Sequence, residues 1–360
     1  MALLPFTLKS QELHQDLQGV WRAEVVSVVR EETREIPGTE TNILVQTLEV
    51  RILEGERKGE IISLENDYSP LKKGDKFFLN YLVTIDGAEF FSVRDFDRRF
   101  ILLFFAIIFG LAVIAFAGWQ GVRSLLGLLG TFLVIIFVLL PLLVKGYPPV
   151  LTSTVIATFI LFFAIYFTHG FNRESTAAFS GTIISVFLTS ILAYFSVKFS
   201  SLTGFASDEA VYLNFQTFGQ LNLSGLLLAG IIIGFLGVLD DIAITQSAVV
   251  SELYGTNAAL SKKEAYKKAL RVGREHASSL VNTLALAYTG AALPLLLLFS
   301  ISEASFSMIV NQEIFATEIL RTLVGSIGLI LTIPITTGIA VFILEKYKGQ
   351  KPTSKVGHYH

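Results

Sequence analysis

The feature that most constrains this fold is a series of long apolar runs that begins at Phe100. A helix that spans a bilayer needs about 20 mainly apolar residues, so we predict an all-α polytopic membrane bundle of about seven transmembrane helices. The fifth and the last runs exceed the usual length, and each is expected to tilt or bend, the last at Pro334. The predicted spans are Phe100–Gly118, Ser124–Val144, Val150–Thr168, Thr176–Val197, Leu223–Val250, Ala277–Ser300 and Glu318–Leu344.

The first hundred residues have a different composition, since they hold almost half of the 28 Lys and Arg residues. Residues 19–99 contain short β-prone runs bounded by turn signals, of which Asp86-Gly87 is a strong hairpin signal. We predict a small β-rich domain, for which an OB-like barrel is one candidate fold. We expect it to act as an adaptor or gating domain. OB folds often bind oligonucleotides. This domain lacks a basic face and the chain has a net charge of −2, so we expect no nucleic-acid partner. The remaining domains are an N-terminal lead (1–18), the transmembrane domain (100–345) and a tail (346–360).

The positive charges of the short loops predict the orientation of the bundle. If the C-terminus is cytoplasmic, the basic residues fall mostly on the cytoplasmic side, and only Lys145 and Lys198 lie in the opposite short loops. The β-rich domain is then outside. Because Met1–Gly19 has no apolar core of signal length, we expect a signal or anchoring helix upstream. The cytoplasmic set is Arg123, Arg173, Lys262, Lys263, Lys267, Lys268, Arg271, Arg274, Lys346, Lys348, Lys351 and Lys355.

Two adjacent aspartates, Asp240 and Asp241, lie inside the fifth predicted span. Ionisable residues are costly in a bilayer and usually face the bundle interior or an aqueous cavity. Helical spacing places Asp241 on a stripe of small and polar residues, whereas Asp240 lies about 100° away. Asp241 is therefore predicted to be on the packed, functional face. The stripe consists of Gly230, Gly234, Gly237, Asp241, Thr245, Ala248 and Glu252.

The sixth predicted span carries a matching stripe, from which Glu275 and Asn282 are expected to meet the acidic pair at a similar depth. A glycine stripe is also explained by helix packing alone. Glu318 and Arg321 are interpreted as an ion pair at the outer boundary. The predicted ion- or substrate-binding residues are Asp240, Asp241, Thr245, Gln246, Glu252, Glu275 and Asn282, with Asp240 and Asp241 as the candidate ligands if the ion is a metal.

At these residues the sequence resembles the YibE/F family of bacterial multi-pass membrane proteins. The resemblance covers most of the chain and implies a location in the bacterial inner membrane, without implying a biochemical activity. In that family usually only one of the two adjacent positions is acidic, and the acidic position corresponds best to Asp240. The matching segments are Gly237-Val238-Leu239-Asp240-Asp241-Ile242-Ala243, Asn282-Thr283-Leu284-Ala285-Leu286-Ala287-Tyr288-Thr289-Gly290 and Val324-Gly325-Ser326-Ile327-Gly328 with Ile333-Pro334-Ile335-Thr336.

We expect a transporter or ion-conducting protein whose acidic pair binds a cation, a proton or a small solute. The chain has no cysteine and no G-x-x-x-x-G-K-[ST] loop, and we expect no cofactor. Enzymatic activity is not expected, because neighbouring aspartates on a helix diverge too far to share a proton as an aspartic-protease pair does. The alternative is a non-catalytic scaffold or sensor in the lipid bilayer whose outside domain binds a protein partner. Homo-oligomer formation stays open.

Overall fold

The computed structural model describes residues 17–36, 38, 41–84 and 87–350. They divide into two compact units, of which the first ends at Leu111 and the second begins at Ala112. Asp86 of the predicted hairpin lies outside the described residues, as do most of the predicted N-terminal lead and the basic residues Lys351 and Lys355 of the predicted tail.

The first unit is built on an antiparallel sheet of five strands in the order β3-β2-β1-β4-β5. The long strand β1 pairs with β4 through its first half and with β2 through its second, and register shifts between Val25 and Ser27 and between Val28 and Arg30 accompany the change. Such irregularities bend and twist a strand, so one strand serves both halves of the sheet. The strands are β1 (Leu17–Glu35), β2 (Asn42–Ile52), β3 (Ile61–Asn66), β4 (Lys76–Val83) and β5 (Glu89–Phe96).

The sheet curls into a half-barrel around a small apolar core that includes Leu48, Phe77 and Leu79. Strands β3 and β5 are its edges, and no ladder of hydrogen bonds joins them in the part of the chain that the structure describes. The prediction of a β-rich domain is therefore confirmed as a five-stranded half-barrel, whereas closure into a full barrel is not.

A polar network crosses the interior of this sheet. The buried Gln46 amide donates to the carbonyl oxygen of Leu71 at 3.0 Å and to Glu31 at 2.7 Å. Its oxygen accepts from the Leu71 N–H at 2.7 Å and from the Asn66 amide at 3.0 Å. The network fixes the connection between β3 and β4 to strand β2.

The sheet is followed directly by the first helix. Asp97, just before it, accepts two hydrogen bonds from the Arg99 guanidinium at 2.7 Å. The bonds to this guanidinium hold the pKa of the Asp97 carboxyl at about 2.

Ten α-helices follow in the described residues, together with one π-helical turn and one 3₁₀ turn. Helix α1 continues through a π-helical turn at Ile135–Leu139 into α2, and a single 3₁₀ turn follows α10. The helices are α1 (Arg99–Val134), α2 (Leu140–Val144), α3 (Pro149–His169), α4 (Arg173–Phe199), α5 (Asp208–Gln216), α6 (Leu223–Thr256), α7 (Lys262–Ala291), α8 (Leu293–Ser300), α9 (Phe306–Val310) and α10 (Glu313–Leu344).

Five helical segments of the described chain are long and apolar enough to cross a membrane, and α7 with α8 adds a sixth if this pair, bent by 67°, is one span. The predicted count of seven is not confirmed. The difference lies in Arg99–Val144, a segment of 46 residues that counts once although two helices meet within it at a kink, where the sequence suggests two spans. The polar residues after Gly118 indicate a loop, but the chain there remains helical.

Gly118 is the break in this run, because its φ of 56° and ψ of −135° leave the helical region. A positive φ is accessible to glycine without steric cost. The break brings Gly121 close to the preceding segment, since a Cβ atom at Gly121 would lie 2.6 Å from the Val113 carbonyl oxygen. The bend is thus tightly closed by backbone contact.

Helices α4, α6 and α10 form the packed centre of the second unit. A Cβ atom at Gly181 would lie 2.8 Å from Cα of Thr336, and one at Gly328 would lie 2.6 Å from the Thr189 side chain. Small residues at such contacts let the helix backbones approach closely, as is usual in membrane bundles. Pro334, where a bend was expected, lies inside the continuous helix α10.

Candidate functional site

The acidic pair lies near the middle of α6, beside a cavity of about 540 Å³ that α6 forms with α3 and the second half of α1. Asp240 is half-buried, and its Oδ1 atom is buried without a hydrogen-bond partner. Asp241 is exposed and lines the same cavity. A buried oxygen without a partner costs free energy unless water, an ion or a proton compensates it. The cavity provides room for such a partner.

Other polar groups of this cavity come from the neighbouring helices. His169, the last residue of α3, is half-buried and lies close enough to interact electrostatically with Asp241. Thr131 and Thr168 add hydroxyl groups to the wall. The site therefore combines two carboxylates, an imidazole and hydroxyls among otherwise apolar side chains. Such a set of groups can bind and pass on a proton or a small cation.

The prediction that the stripe containing Asp241 is the packed face of α6 is wrong. The buried face carries large residues such as Phe235, Leu239 and Ile242, while Gly230, Gly234, Gly237, Asp241 and Glu252 are exposed. The large apolar side chains fill the helix contacts, and Gly230 and Gly237 face open space. Gly237 lines the cavity with the acidic pair, and a Cβ atom at Gly234 would lie 3.3 Å from the Tyr288 hydroxyl.

Gln246 lies apart from the acidic pair, in the packed centre of the unit. It is completely buried, and its Oε1 atom accepts a hydrogen bond of 2.9 Å from Thr337 of α10. Its Nε2 atom has no partner. A Cβ atom at Gly273 of α7 would lie 2.7 Å from this nitrogen, so α7 approaches here without leaving space for a side chain.

The remaining predicted residues are not brought to the acidic pair. Glu252, Glu275 and Asn282 are exposed, and Thr245 is half-buried. Neither Asn282 nor Glu275 lines the cavity that holds Asp240 and Asp241, so the predicted meeting of the α6 and α7 stripes at this depth is not confirmed. Periodicity located one face of each helix, but it could not show which faces meet.

Two polar residues that face α6 were missed because both stand at the ends of helices, outside the predicted apolar spans. Besides His169, these include Glu174 in the first turn of α4, which is buried. Its Oε1 atom accepts a 2.6 Å hydrogen bond from Ser251, and its carbonyl oxygen accepts one of 2.8 Å from Ser247. Asn172 caps α4 by accepting from the Ser175 N–H, a signal that the sequence shows as Asn before a helical run.

A metal centre finds little support in this arrangement. Nowhere in the described ranges are three or more His, Asp or Glu side chains grouped so that they could hold a metal ion. Asp240 and Asp241 alone provide fewer ligands than a stable metal site usually has. A proton needs only one carboxylate, so the geometry fits a proton better than a resident metal.

Comparison with known protein families identifies both parts of the chain. Residues 105–346 match the family described as YibE/F-like protein, and residues 19–87 match the YibE/F family N-terminal domain. No curated protein and no solved structure matches the chain. The two matches cover the acidic pair, its cavity and most of the β sheet.

Proposed function

The chain belongs to the YibE/F-like family of proteins, and we propose that it is a membrane transporter or ion-conducting protein that uses Asp240 to bind a proton or small cation. The apolar helices support a multi-pass membrane protein. One observation carries the proposal. A carboxylate oxygen of Asp240 is buried without a hydrogen-bond partner, and it borders a cavity inside the helical unit.

Asp240, rather than Asp241, is the binding carboxylate in this proposal. Its oxygen is the one withdrawn from solvent, and the family resemblance also points to this position. Asp241 and His169 flank it in the cavity and can exchange a proton with the open side. In an apolar surrounding a carboxylate gains more from a bound cation or proton than it does in water, which favours reversible binding.

The alternative function, a scaffold or sensor, is supported by a concave surface on the β unit. A cavity of about 400 Å³ lies between β1, β4 and β5 and carries Asn80, Tyr81, Ser92 and Arg94. Mixed polar and aromatic side chains of this kind suit a protein partner. The location of the β unit outside a bacterial inner membrane, the cytoplasmic C-terminus and homo-oligomer formation stay predictions.

The proposal is tested with the purified full chain in liposomes. A pH gradient is imposed, and a pH-sensitive dye inside the vesicles reports proton entry; a sodium- or potassium-sensitive dye separates metal-cation flux. Asp240→Asn keeps the side-chain shape and removes the ionisable group, so we expect at least about ten-fold slower flux. Asp241→Asn should slow the flux less, since this side chain is exposed.

Glu252→Gln is the matched control, because Glu252 is an exposed acid on the same helix and does not line the cavity. It should conduct as the native chain does. If Asp240→Asn elutes as a folded protein and still conducts at the native rate, the pair is structural, and the scaffold function replaces the proposal.

A further inference from the structure

A second cavity, of about 650 Å³, lies at the break between α7 and α8, where it is bordered by α6 and α10. The two helices bend by 67° around Ala292, and Pro294 stands at the start of α8. Interrupted helices at a cavity are a usual position for solute sites in transporters, since the freed backbone groups can contact a ligand. The volume falls within the roughly 300–1,000 Å³ of typical small-molecule sites.

The wall contributed by α10 carries an ion pair. Arg321 donates to the carboxylate of Glu318 at 2.7 Å, and both half-buried side chains line the cavity. This is the pair that the sequence predicts at the outer boundary of the bundle. Because both charges face the same cavity, a ligand can reach each of them.

A buried hydroxyl lies beside the pair. Thr317 is 3% exposed, lines the cavity, and its Oγ1 atom has no hydrogen-bond partner. Buried polar groups are normally hydrogen-bonded, so an unpartnered hydroxyl at a cavity wall is a position from which a side chain can hydrogen-bond to a ligand. This observation is independent of the ion pair.

The loop after α4 forms another wall of the cavity, and a residue of α10 holds this loop in place. The carboxylate of Glu313 accepts hydrogen bonds from the N–H groups of Thr203 and Gly204 at 2.7 and 2.6 Å. Gly204 lines the cavity. The loop after α4 is thus tied to the start of α10, and the cavity has a defined shape at this end.

We infer that this cavity binds a small zwitterion, a molecule with an ammonium group and an anionic oxygen close together and an apolar remainder. The ammonium contacts Glu318, the anionic oxygen contacts Arg321, and Thr317 hydrogen-bonds to the ligand. Because Glu318 and Arg321 together are neutral, a ligand with one charge would add an uncompensated charge to an apolar environment, whereas a zwitterion adds none and can contact both side chains.

The apolar remainder of the ligand is accommodated by the rest of the wall. Leu226, Leu227 and Leu295 line the cavity, and an adjoining apolar groove of about 350 Å³ shares Tyr288 and Glu318 with it. The assignment of the zwitterion as a transported substrate rests on the proposed function, but the binding itself does not.

The glycine stripe of α6 borders both cavities. Gly230 lines the second cavity and Gly237 lines the cavity of the acidic pair. Ten residues of helix separate Gly230 from Asp240, a distance of about 15 Å along the axis. The solute and the coupling ion would therefore bind at separate positions on one helix.

The test measures binding without flux, so its result is independent of the liposome assay. The full chain in detergent is titrated with radiolabelled L-leucine, with 4-methylpentanoate (no amino group) and with 3-methylbutylamine (no carboxylate) as competitors. We expect saturable leucine binding, and each competitor should bind about ten-fold more weakly because one charge of the pair is unmatched. Arg321→Gln and Glu318→Gln should each weaken leucine binding by about ten-fold or more.

Two further variants separate a loss of binding from a loss of folding. Lys262→Gln removes one partner of the Lys262–Glu345 ion pair, which does not line the cavity, and should bind leucine normally. Thr317→Val keeps the shape of the side chain and should weaken binding by about five-fold. Leucine binding that is absent in the native chain, or unchanged in Arg321→Gln and Thr317→Val, counts against a free zwitterion as the ligand.

A phosphatidylethanolamine headgroup carries the same two charges, so a second arm distinguishes the lipid from a free solute. The native chain and Arg321→Gln are compared in nanodiscs of phosphatidylethanolamine and of phosphatidylglycerol. If the headgroup binds in the site, the native chain should melt at a higher temperature in phosphatidylethanolamine than in phosphatidylglycerol. Arg321→Gln should melt at the same temperature in both lipids. If neither leucine nor this lipid distinguishes the native chain from Arg321→Gln, the inference is overturned.

Discussion

The two units differ in how completely their buried polar side chains are hydrogen-bonded. In the β unit, both oxygen and nitrogen of the buried Gln46 side chain are hydrogen-bonded, and the Asn66 amide is bonded as well. In the helical unit, several buried side-chain atoms of the described residues have no partner. These belong to Ser153, Ser190, Asp240, Gln246, His276, Thr317 and Thr336. The first pattern is typical of a polar group that fixes a structure, and the second of groups that await water or a ligand.

The difference follows from how many backbone N–H and carbonyl groups are free to bond to side chains in each unit. The segment between β3 and β4 leaves the N–H and carbonyl groups of Leu71 free for Gln46. A helix bonds its own backbone, and only short hydroxyl side chains can return to it, as Ser185 does to the Gly181 carbonyl at 2.8 Å. A long side chain such as Gln246 must find another side chain, water or a solute.

The largest stability effect is expected for Gln46→Met in the β unit. Residues 17–97, expressed alone, should give a β-type circular dichroism spectrum and a cooperative melt. Methionine fills similar space but leaves the Leu71 N–H and carbonyl without partners and removes one of the two hydrogen bonds of the Asn66 amide, so we expect a loss of about 4 kcal/mol in the free energy of unfolding. Urea denaturation measures this loss.

The matched substitution in the helical unit is Gln246→Met. It removes one hydrogen bond, to Thr337, and a buried nitrogen that already lacks a partner, so the full chain in detergent should melt within a few degrees of the native protein. If Gln246→Met destabilises the helical unit as severely as Gln46→Met destabilises the fragment, the contrast between the two units does not hold.

A smaller effect separates two kinds of glycine inside the helical unit. Gly181→Ala should destabilise the bundle by about 2 kcal/mol, because the added methyl group overlaps Thr336 of α10. Gly230→Ala has nothing within 4 Å of its Cβ position and should leave the melting temperature unchanged or slightly higher. Thermal unfolding in detergent compares the two, and equal destabilisation would place Gly230 in a packed contact instead of a cavity wall.

Much of the fold follows from the local pattern of the sequence. Apolar length predicts α3, α4, α6 and α10, and turn signals predict the strands, because both depend on neighbouring residues alone. The predicted span Ala277–Ser300 is divided between α7 and α8, which apolar length does not show. The turn at Gly118 is different. A single glycine with a positive φ separates two helices within a segment of 46 residues, and nothing in the surrounding composition shows whether the polar residues that follow form a loop or a helix.

The candidate site was predictable only in part, for a related reason. The acidic pair stands out in an apolar run, but the choice between Asp240 and Asp241 depends on which face of α6 its neighbours cover. The spacing of small residues suggests Asp241, whereas Phe235, Leu239 and Ile242 bury the other face. His169 and Glu174 belong to the ends of α3 and α4, and only tertiary packing brings them towards α6.

The central claim is that the unpaired Asp240 carboxyl binds and releases a proton, and infrared difference spectroscopy tests it most directly. Native protein, Asp240→Asn and Asp241→Asn are titrated with acid in nanodiscs, and the carbonyl stretching band of protonated carboxyl groups is followed. The account predicts a band with a deuterium-dependent shift in the native protein and in Asp241→Asn that is missing from Asp240→Asn. If Asp240→Asn shows the same bands as the native protein over the whole titration, Asp240 takes no part in proton binding and the account is contradicted.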